Sequence, residues 1–347
     1  MTRRALYALL SLGPLVILLD LLGVGAIGLF VLSAAALIPL AWLIGEATEQ
    51  AAHHTGPGIG GFLNATFGNA PELIIALFAV SSGLTEVVRG SLTGSVVGNL
   101  LLVLGFSLLF GGTGALDPQS TYVSIALVLL AVSVFLVPAV PGWEGDPERH
   151  QLALLSLPVS VVLLVVYVAV TWVALRRHRG LHASGEPASE QPEGWSLRVA
   201  LAVLAAATLM TAFVAEILVH SLETFAEKAH LSDFFVAAVI VAIVGNAAEH
   251  GGAVVVAARG KIKLAAEIAL ASSAQVAVFL IPAVALLAWL IDPLALSFRP
   301  VELGVLGGAG VVTALLLFPG RSSRLRGAVL VVAYAAAATA FFLAGER

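Results

Sequence analysis

The sequence predicts an all-α membrane protein with eleven transmembrane helices, in which a first helix precedes two inverted five-helix repeats. Composition supports this class, because 60% of the 347 residues are hydrophobic and 11% are charged, whereas soluble domains carry about 25% charged residues. A further observation is the motif Gly-Asn-Ala-x-Glu, which occurs once in each half of the chain. The chain is therefore expected to cross a bilayer many times and to contain two related halves.

Apolar stretches of about 20 residues, long enough to cross the hydrocarbon core, follow one another along the chain. Gly, Pro and clusters of charge separate them. The first stretch also resembles a secretory signal, because two arginines precede a short apolar run, but no small-x-small cleavage site follows, so we expect it to be retained as a helix. The predicted helices are 5–20, 24–50, 58–80, 87–110, 119–139, 151–176, 197–226, 232–257, 263–290, 301–318 and 325–344.

One stretch, 178–195, is polar and rich in Pro and Gly, which is typical of a flexible linker. It divides the chain into two halves and is predicted to be cytoplasmic. The predicted organisation is an N-terminal helix in 1–22, a first half in 23–140 whose five helices are completed by 151–177, the linker 178–195, and a second half in 196–347.

Basic residues in the loops predict the orientation, since cytoplasmic loops carry an excess of Lys and Arg. With the amino terminus inside, twelve of the 17 basic residues lie on the cytoplasmic side, and the other side has Arg89, Arg149, Lys228, Arg299 and Arg347. We therefore expect an integral protein of a prokaryotic inner membrane, with a cytoplasmic amino terminus. The twelve are Arg3, Arg4, Arg176, Arg177, Arg179, Arg198, Arg259, Lys261, Lys263, Arg321, Arg324 and Arg326.

The two halves are related by a shift of 177 residues, which places Gly68, Asn69 and Glu72 on Gly245, Asn246 and Glu249. The same shift places Glu46 on Glu223, Gly83 on Gly260 and Ser95 on Ser272. Five helices in each half would turn the second copy upside down relative to the first. Inverted repeats of this kind are typical of secondary transporters, although channels can also contain them.

Glu72 and Glu249 are the strongest candidates for function, because a charged group near the bilayer centre costs roughly 2.5–3.5 kcal/mol and usually faces a cavity, a partner or an ion path. Their equivalent positions in opposed repeats would bring the two carboxylates together near the midplane. Such a pair can bind either a hard divalent cation or protons. Oxygen ligands with flexible coordination suit Ca²⁺ better than Mg²⁺.

Neutral polar residues in the same apolar stretches supply further candidate ligands. Asn69 and Asn246 each precede a motif glutamate by three residues, which would place them on its face of a continuous helix. Gly68, Pro71 and Gly245 would weaken helical hydrogen bonding and free carbonyl oxygens. The candidate cation ligands are Glu72, Glu249, Asn69, Asn246, Ser95, Asn99, Ser272 and Gln275.

Further carboxylates lie on the long helices beside the motifs. Glu46, Glu216 and Glu223 would either form an ion or proton vestibule or be solvated helix ends. Together with Glu72 and Glu249, these three are the candidates for proton coupling. The Ser, Asn and Gln candidates also have structural explanations. Ser in a membrane helix often donates to the carbonyl four residues earlier, and Asn or Gln often forms hydrogen bonds between helices.

The stretches 68–105 and 245–286 resemble the two repeat motifs of the calcium/proton exchangers, the cation/proton antiporter branch of the sodium/calcium exchanger superfamily. The resemblance covers nearly the whole chain. It implies eleven helices, export of cytosolic Ca²⁺ driven by inward proton movement, and Glu72 and Glu249 as the central carboxylates. The second repeat departs from the family pattern at Lys263, Glu267 and Ala271.

The expected function is therefore exchange of Ca²⁺ for H⁺ by alternating access, with Ca²⁺ and protons as substrates and no cofactor. A Na⁺-coupled or broader divalent cation exchanger and a passive cation channel remain alternatives. An enzyme is the weakest alternative, because the chain has no cysteine and no hydrolase motif. A net charge of −4 gives no indication of a nucleic-acid partner. Oligomeric state does not follow from the sequence.

Overall fold

The computed structural model of this chain describes residues 3–182 and 194–345, which form helices joined by short turns. The described residues contain no β-strand, and their single isolated bridge joins Ala115 to Arg321. The all-α class predicted from composition is therefore confirmed. Inside the helices, the side chains of residues 3–5, 56–62, 64–65, 174–182 and 248–250 lie outside the described part.

Helices account for most of the described chain, and three of them contain a π-helical segment. The π-helical segments are Gly98–Val103 in α5, Val236–Val241 in α9 and Val276–Leu280 in α11. The helices are α1 Arg3–Leu9, α2 Leu12–Leu21, α3 Ala26–Phe67, α4 Ala70–Ser81, α5 Thr85–Gly111, α6 Pro118–Gly142, α7 His150–His182, α8 Leu197–Ala229, α9 Asp233–Gly245, α10 Ala247–Ala258, α11 Ile262–Ala288, α12 Pro300–Leu317 and α13 Arg324–Ala344.

Eight of the described helices are long and apolar enough to cross a membrane. They are α3, α5, α6, α7, α8, α11, α12 and α13. Shorter apolar helices cover Leu6–Leu21, Ala70–Ser81 and Asp233–Gly245. A helix of 12 residues such as α4 rises only about 18 Å, less than the hydrocarbon thickness. The chain is therefore an integral membrane protein, while the count of eleven spans stays a prediction.

The helix boundary predicted between 24–50 and 58–80 is wrong. The structure has one helix of 42 residues, α3, which passes through the Gly and Pro residues at 56–58 and ends at Phe67. Membrane helices tolerate such residues where neighbouring groups satisfy the backbone. The chain breaks instead just before Pro71 in α4, whose ring would clash with the carbonyl of residue 67 in a continuous helix.

The predicted helix 232–257 is also interrupted, in this case without a proline. Asn246 separates α9 from α10 and has φ −91° and ψ 4°. Its side-chain Nδ2 donates to Ala242 O at 3.0 Å, so the amide competes with the backbone for a helical acceptor. Both motifs therefore lie at helix breaks, where backbone groups leave the regular helical pattern.

Several backbone features recur with the 177-residue spacing of the sequence repeat. Helices α4 and α10 each contain 12 residues and begin at positions 70 and 247. The turns that follow them contain Gly83 and Gly260, both with positive φ, 73° and 81°. Helices α5 and α11 end at 111 and 288, and both contain a π-helical segment. The motif repeat is thus accompanied by a repeat of local backbone structure.

Helix α5 lies inside the bundle, since 83% of its most apolar 18-residue stretch is buried. Gly90 and Gly94 allow it to pack closely against α9. A Cβ atom at Gly94 would lie 2.0 Å from Ala238 O, and one at Gly90 would lie 2.7 Å from Phe234 O. Any larger side chain at these positions would separate α5 from α9, so the glycines fix how the first half meets the second motif.

Candidate cation site

Glu72 lies in the first turn of α4, directly after the break in the first motif. Its side chain is buried, with 6% exposed. The backbone N–H groups and the dipole at a helix N-terminus favour a negative charge in this position. Asn69 is the residue before α4, with φ −102° and ψ 16°, so the expectation that Asn69 and Glu72 share a face of one continuous helix is wrong.

The Glu72 side chain packs against the second motif. Gly245 is the last residue of α9, and a Cβ atom there would lie 3.5 Å from both Cγ and Oε1 of Glu72. The Glu72 carboxylate therefore lies beside Gly245, at a distance where an added methyl group would be in van der Waals contact with it. The structure thus brings the two Gly-Asn-Ala-x-Glu motifs together, although they are 177 residues apart in sequence.

Glu249 lies in the first turn of α10, at the position that Glu72 occupies in α4. The side chain of Glu249 is outside the described residues. Asn246, which precedes α10, is buried with 2% exposed. The backbone thus gives both motif glutamates the same position relative to a helix start.

Two hydrogen bonds connect the halves beside the motifs. Asn246 Nδ2 donates to Ser95 Oγ at 2.8 Å, and Asn99 Nδ2 donates to Ser272 Oγ at 3.0 Å. All four side chains are buried. Ser95 Oγ in turn donates to Ser91 O at 2.9 Å. Four of the predicted ligand residues therefore form cross-half contacts between α5 and the α9–α11 region.

Asn99 leaves an oxygen free inside this buried polar group. It belongs to the π-helical segment of α5, and its Oδ1 is buried without a hydrogen-bond partner among the described residues. A buried acceptor without a donor costs free energy comparable to a lost hydrogen bond. A cation ligand is one way to satisfy such an oxygen.

The remaining candidates lie in less enclosed positions. Gln275 is half-buried at the residue before the π-helical segment of α11. Glu46 is half-buried on α3, whereas Glu216 and Glu223 are exposed on α8. Glu216 lines a cavity of about 500 Å³ together with Asp20 and His220.

The available ligands in this region are oxygen atoms of carboxylate, amide and hydroxyl groups, and the chain has no cysteine. The described residues contain no group of three or more His, Asp or Glu side chains that could hold a metal ion. A cation site built from the candidate residues would combine the carboxylates of Glu72 and Glu249 with neutral amide and hydroxyl oxygens. That ligand set suits a hard cation that enters and leaves.

Sequence reasoning missed one polar region. It placed Arg89 and Arg299 among loop charges, but they are 1% and 7% exposed. Arg89 lies six residues before Ser95 on α5, the helix that carries part of the candidate cation site. The pairs Glu86-x-x-Arg89 and Arg299-x-x-Glu302, each spaced for contact on one helical turn, were the available signal.

Comparison with known proteins gives an independent view of the chain. Residues 25–176 and 199–343 match the family model of the sodium/calcium exchanger proteins. Both matched ranges include one Gly-Asn-Ala-x-Glu motif. The match therefore covers both halves of the chain, before and after residues 183–193, which lie outside the described structure.

Individual relatives align over almost their full length. The chain is 38% identical over 351 residues to the Ca²⁺/H⁺ antiporter ChaA of Bacillus subtilis, covering 98% of this chain and 99% of the relative. It is 37% identical to a Ca²⁺/H⁺ antiporter of Synechocystis, with 96% of each chain covered. The solved structure of native YfkE superimposes with a TM-score of 0.83 at 34% identity, covering 97% of this chain and 99% of YfkE.

Proposed function

Because this chain belongs to the sodium/calcium exchanger family, we propose that it is a secondary active antiporter that exports Ca²⁺ from the cytosol in exchange for H⁺. The observation that carries the proposal is the full-length similarity to proteins named Ca²⁺/H⁺ antiporters, at 37–38% identity. These relatives are transporters, and the chain is accordingly a membrane antiporter and not an enzyme. The exchanged ions are substrates, and no cofactor is required.

The proposed cation site is centred on the carboxylates of Glu72 and Glu249. Support comes from the packing of the buried Glu72 carboxylate against Gly245 and from the equivalent position of Glu249 in α10. Two helix N-termini then face the site, which favours deprotonated carboxylates when a cation is present. The surrounding ligands in this proposal are Asn69, Asn246, Ser95, Asn99, Ser272 and Gln275.

The two carboxylates explain how Ca²⁺ and protons compete. Two like charges in an enclosed site repel, so the pair binds either one divalent cation or protons. Release of two protons for each Ca²⁺ bound would make the exchange electroneutral. Transport of a third proton would need another carboxylate, and Glu46 is favoured over Glu216 and Glu223 because it is half-buried while they are exposed.

Transport is proposed to follow alternating access around this site. The interrupted pairs α3/α4 and α9/α10 support this mechanism, because broken helices that meet near the bilayer midplane are typical of secondary transporters. In the same proposal, a first helix precedes two inverted repeats of five spans. The amino terminus is cytoplasmic, in a prokaryotic inner membrane, and 178–195 is a cytoplasmic linker between the halves.

Flux measurements in reconstituted vesicles test the exchange. A pH gradient should drive Ca²⁺ uptake, and Glu72→Gln and Glu249→Gln should each abolish it, because an amide cannot give up a proton to bind a cation. Glu227→Gln, an exposed carboxylate on α8, is the matched control and should transport normally. Full transport by either motif variant would contradict the two-carboxylate site.

The alternatives give different results in the same vesicles. A Na⁺-coupled exchanger, which the family name includes, would transport Ca²⁺ when a sodium gradient is imposed and pH is clamped on both sides. A passive channel would pass Ca²⁺ without any counter-gradient. Calcium flux that requires the pH gradient and ignores sodium supports the proposed function over both.

A further inference from the structure

Five charged side chains form a largely buried cluster at the end of the bundle where α5 and α12 begin. Arg89 Nη2 contacts Glu86 Oε1 and Arg89 Nη1 contacts Glu148 Oε1, each at 2.5 Å. Arg299 Nε donates to Glu302 Oε1 at 2.6 Å, and Arg299 Nη2 lies 3.6 Å from Glu86 Oε2. We call these residues, Glu86, Arg89, Glu148, Arg299 and Glu302, the charge cluster.

The charge cluster contains three carboxylates and two guanidinium groups, so its charge within the described residues is −1 if every group is ionised. Arg149, which follows Glu148, is a further cation nearby, and its guanidinium donates to backbone carbonyl oxygens of the same loop and of the end of α6. Ser297 Oγ lies 3.5 Å from Arg89, the Phe234 ring lies 4.0 Å below the Arg299 guanidinium, and Gly345 O accepts from Arg299 Nη1 at 2.9 Å. Asp233, the half-buried neighbour of Phe234, is a further carboxylate.

Two carboxylate oxygens in the cluster are buried without a hydrogen-bond donor among the described residues. One is Oε2 of Glu302, whose residue is 0% exposed, and the other is Oε2 of Glu86. Arg299 Nη2, which is itself buried without an acceptor among the described residues, lies 3.6 Å from the Glu86 oxygen, too far for a hydrogen bond. An ionised carboxylate buried in this way is costly, whereas one added proton supplies a donor and removes the excess charge.

The cluster is reachable from water and separate from the proposed cation site. A cavity of about 560 Å³ is lined by Glu86, Arg89, Glu148 and Arg299. Ser95 and Asn99 of the proposed cation site lie nine and 13 residues after Glu86 on α5, rises of about 14 Å and about 20 Å along the helix. In the proposed orientation, α5 begins on the outer side, from which the protons come.

We propose that the charge cluster is a second proton-binding site, which takes one proton from the outer side on one of the two carboxylates that contact Arg299, Glu86 and Glu302. The assignment to the outer side rests on the proposed function, whereas the bound proton itself does not. Protonation removes the net negative charge of the charge cluster at the start of α5, the helix that carries Ser95 and Asn99. Exchange should therefore depend on outer pH through this site as well as through the protons carried by the cation site.

Infrared spectroscopy of the purified full-length chain in lipid tests the bound proton directly. The spectra are taken in the Glu72→Gln/Glu249→Gln background, so that no carboxyl of the cation site contributes. We expect a pH-titrating carbonyl band of a protonated carboxylic acid, and we expect its loss on adding either Glu302→Gln or Glu86→Gln. Glu144→Gln, an exposed residue of the same loop as Glu148, should leave the band unchanged.

Two results would overturn the proposal: absence of the band, or its persistence in both cluster variants. If the double background does not fold, the wild-type chain saturated with Ca²⁺ gives the same measurement, because bound Ca²⁺ keeps the motif carboxyls ionised. The proposed function is contradicted by a different result, namely a wild-type chain that shows no proton-driven Ca²⁺ flux. In flux assays, Glu302→Gln should still exchange Ca²⁺ but lose part of the dependence on outer pH that Glu144→Gln retains.

Discussion

Substitution of Gly94 by alanine should disrupt the contact between α5 and α9. The added Cβ would lie 2.0 Å from Ala238 O and 2.7 Å from Ala242 Cβ, and both neighbours belong to a helix and cannot rotate away. Restoring a separation of 3.0 Å to the carbonyl oxygen requires the helices to move apart by about 1 Å. The space between α5 and α9 therefore does not accept a methyl group.

This displacement has two costs. Overpacking of a buried contact typically costs about 1–3 kcal/mol. A 1 Å shift would also lengthen the Asn246–Ser95 hydrogen bond from 2.8 Å to about 3.8 Å, which removes roughly 1 kcal/mol. We expect Gly94→Ala to lose about 2–4 kcal/mol of stability and most of its Ca²⁺ transport, because Ser95 and Asn246 are both proposed ligands.

Gly98→Ala is the matched control, since it changes the same residue type one turn later on the same helix. A Cβ atom at Gly98 would meet no atom within 4 Å. Thermal unfolding in detergent and Ca²⁺ flux in vesicles should both separate the two variants. Equal stability and equal flux for Gly94→Ala and Gly98→Ala would refute the close-packing argument.

Two further predictions concern single residues. Asn99→Leu removes the hydrogen bond to Ser272 and the amide oxygen that has no donor. It should raise the KM for Ca²⁺ about tenfold or more, as expected for a loss of about 1.4 kcal/mol of binding free energy. An unchanged KM would exclude Asn99 as a ligand. Gly83 and Gly260 have φ of 73° and 81°, so Gly83→Ala and Gly260→Ala should each lower stability by about 1–2 kcal/mol through backbone strain. Gly45→Ala is the control and should not, because Gly45 lies in a helix and an added Cβ atom would have no neighbour within 4 Å. Equal melting temperatures for all three variants would contradict the strain argument.

The two motifs could be singled out from the sequence because their signal is chemical. A glutamate and an asparagine in an apolar stretch are unusual enough to mark a site, and the 177-residue shift between Glu72 and Glu249 links the two copies. The sequence also predicted the all-α membrane class. Ser272, which accepts a hydrogen bond from Asn99, is the equivalent of Ser95 under the same shift, so both serines could be selected as candidates from the sequence.

The helix breaks and the charge cluster were harder to predict because they depend on tertiary contacts. Pro71 is visible in the sequence, but the Gly and Pro residues at 56–58 looked like a stronger breaker, although α3 passes through them. Arg89 looked like a loop charge because its partner Glu148 is 59 residues away and Arg299 lies in the other half. Burial of a charge follows from partners that only the folded chain brings together.

The π-helical segments of α5 and α11 impose a constraint on chain length. Each segment has hydrogen bonds spaced one residue further apart than in an α-helix, and the two copies remain equal in length from Gly83 to Gly111 and from Gly260 to Ala288. Deleting one residue from a segment would restore α-helical hydrogen bonding there and remove the wider turn in which Asn99 lies, whereas a deletion in an α-helical part would rotate everything beyond it by about 100°. In this part of the molecule, the number of residues is therefore as strictly determined as their identity.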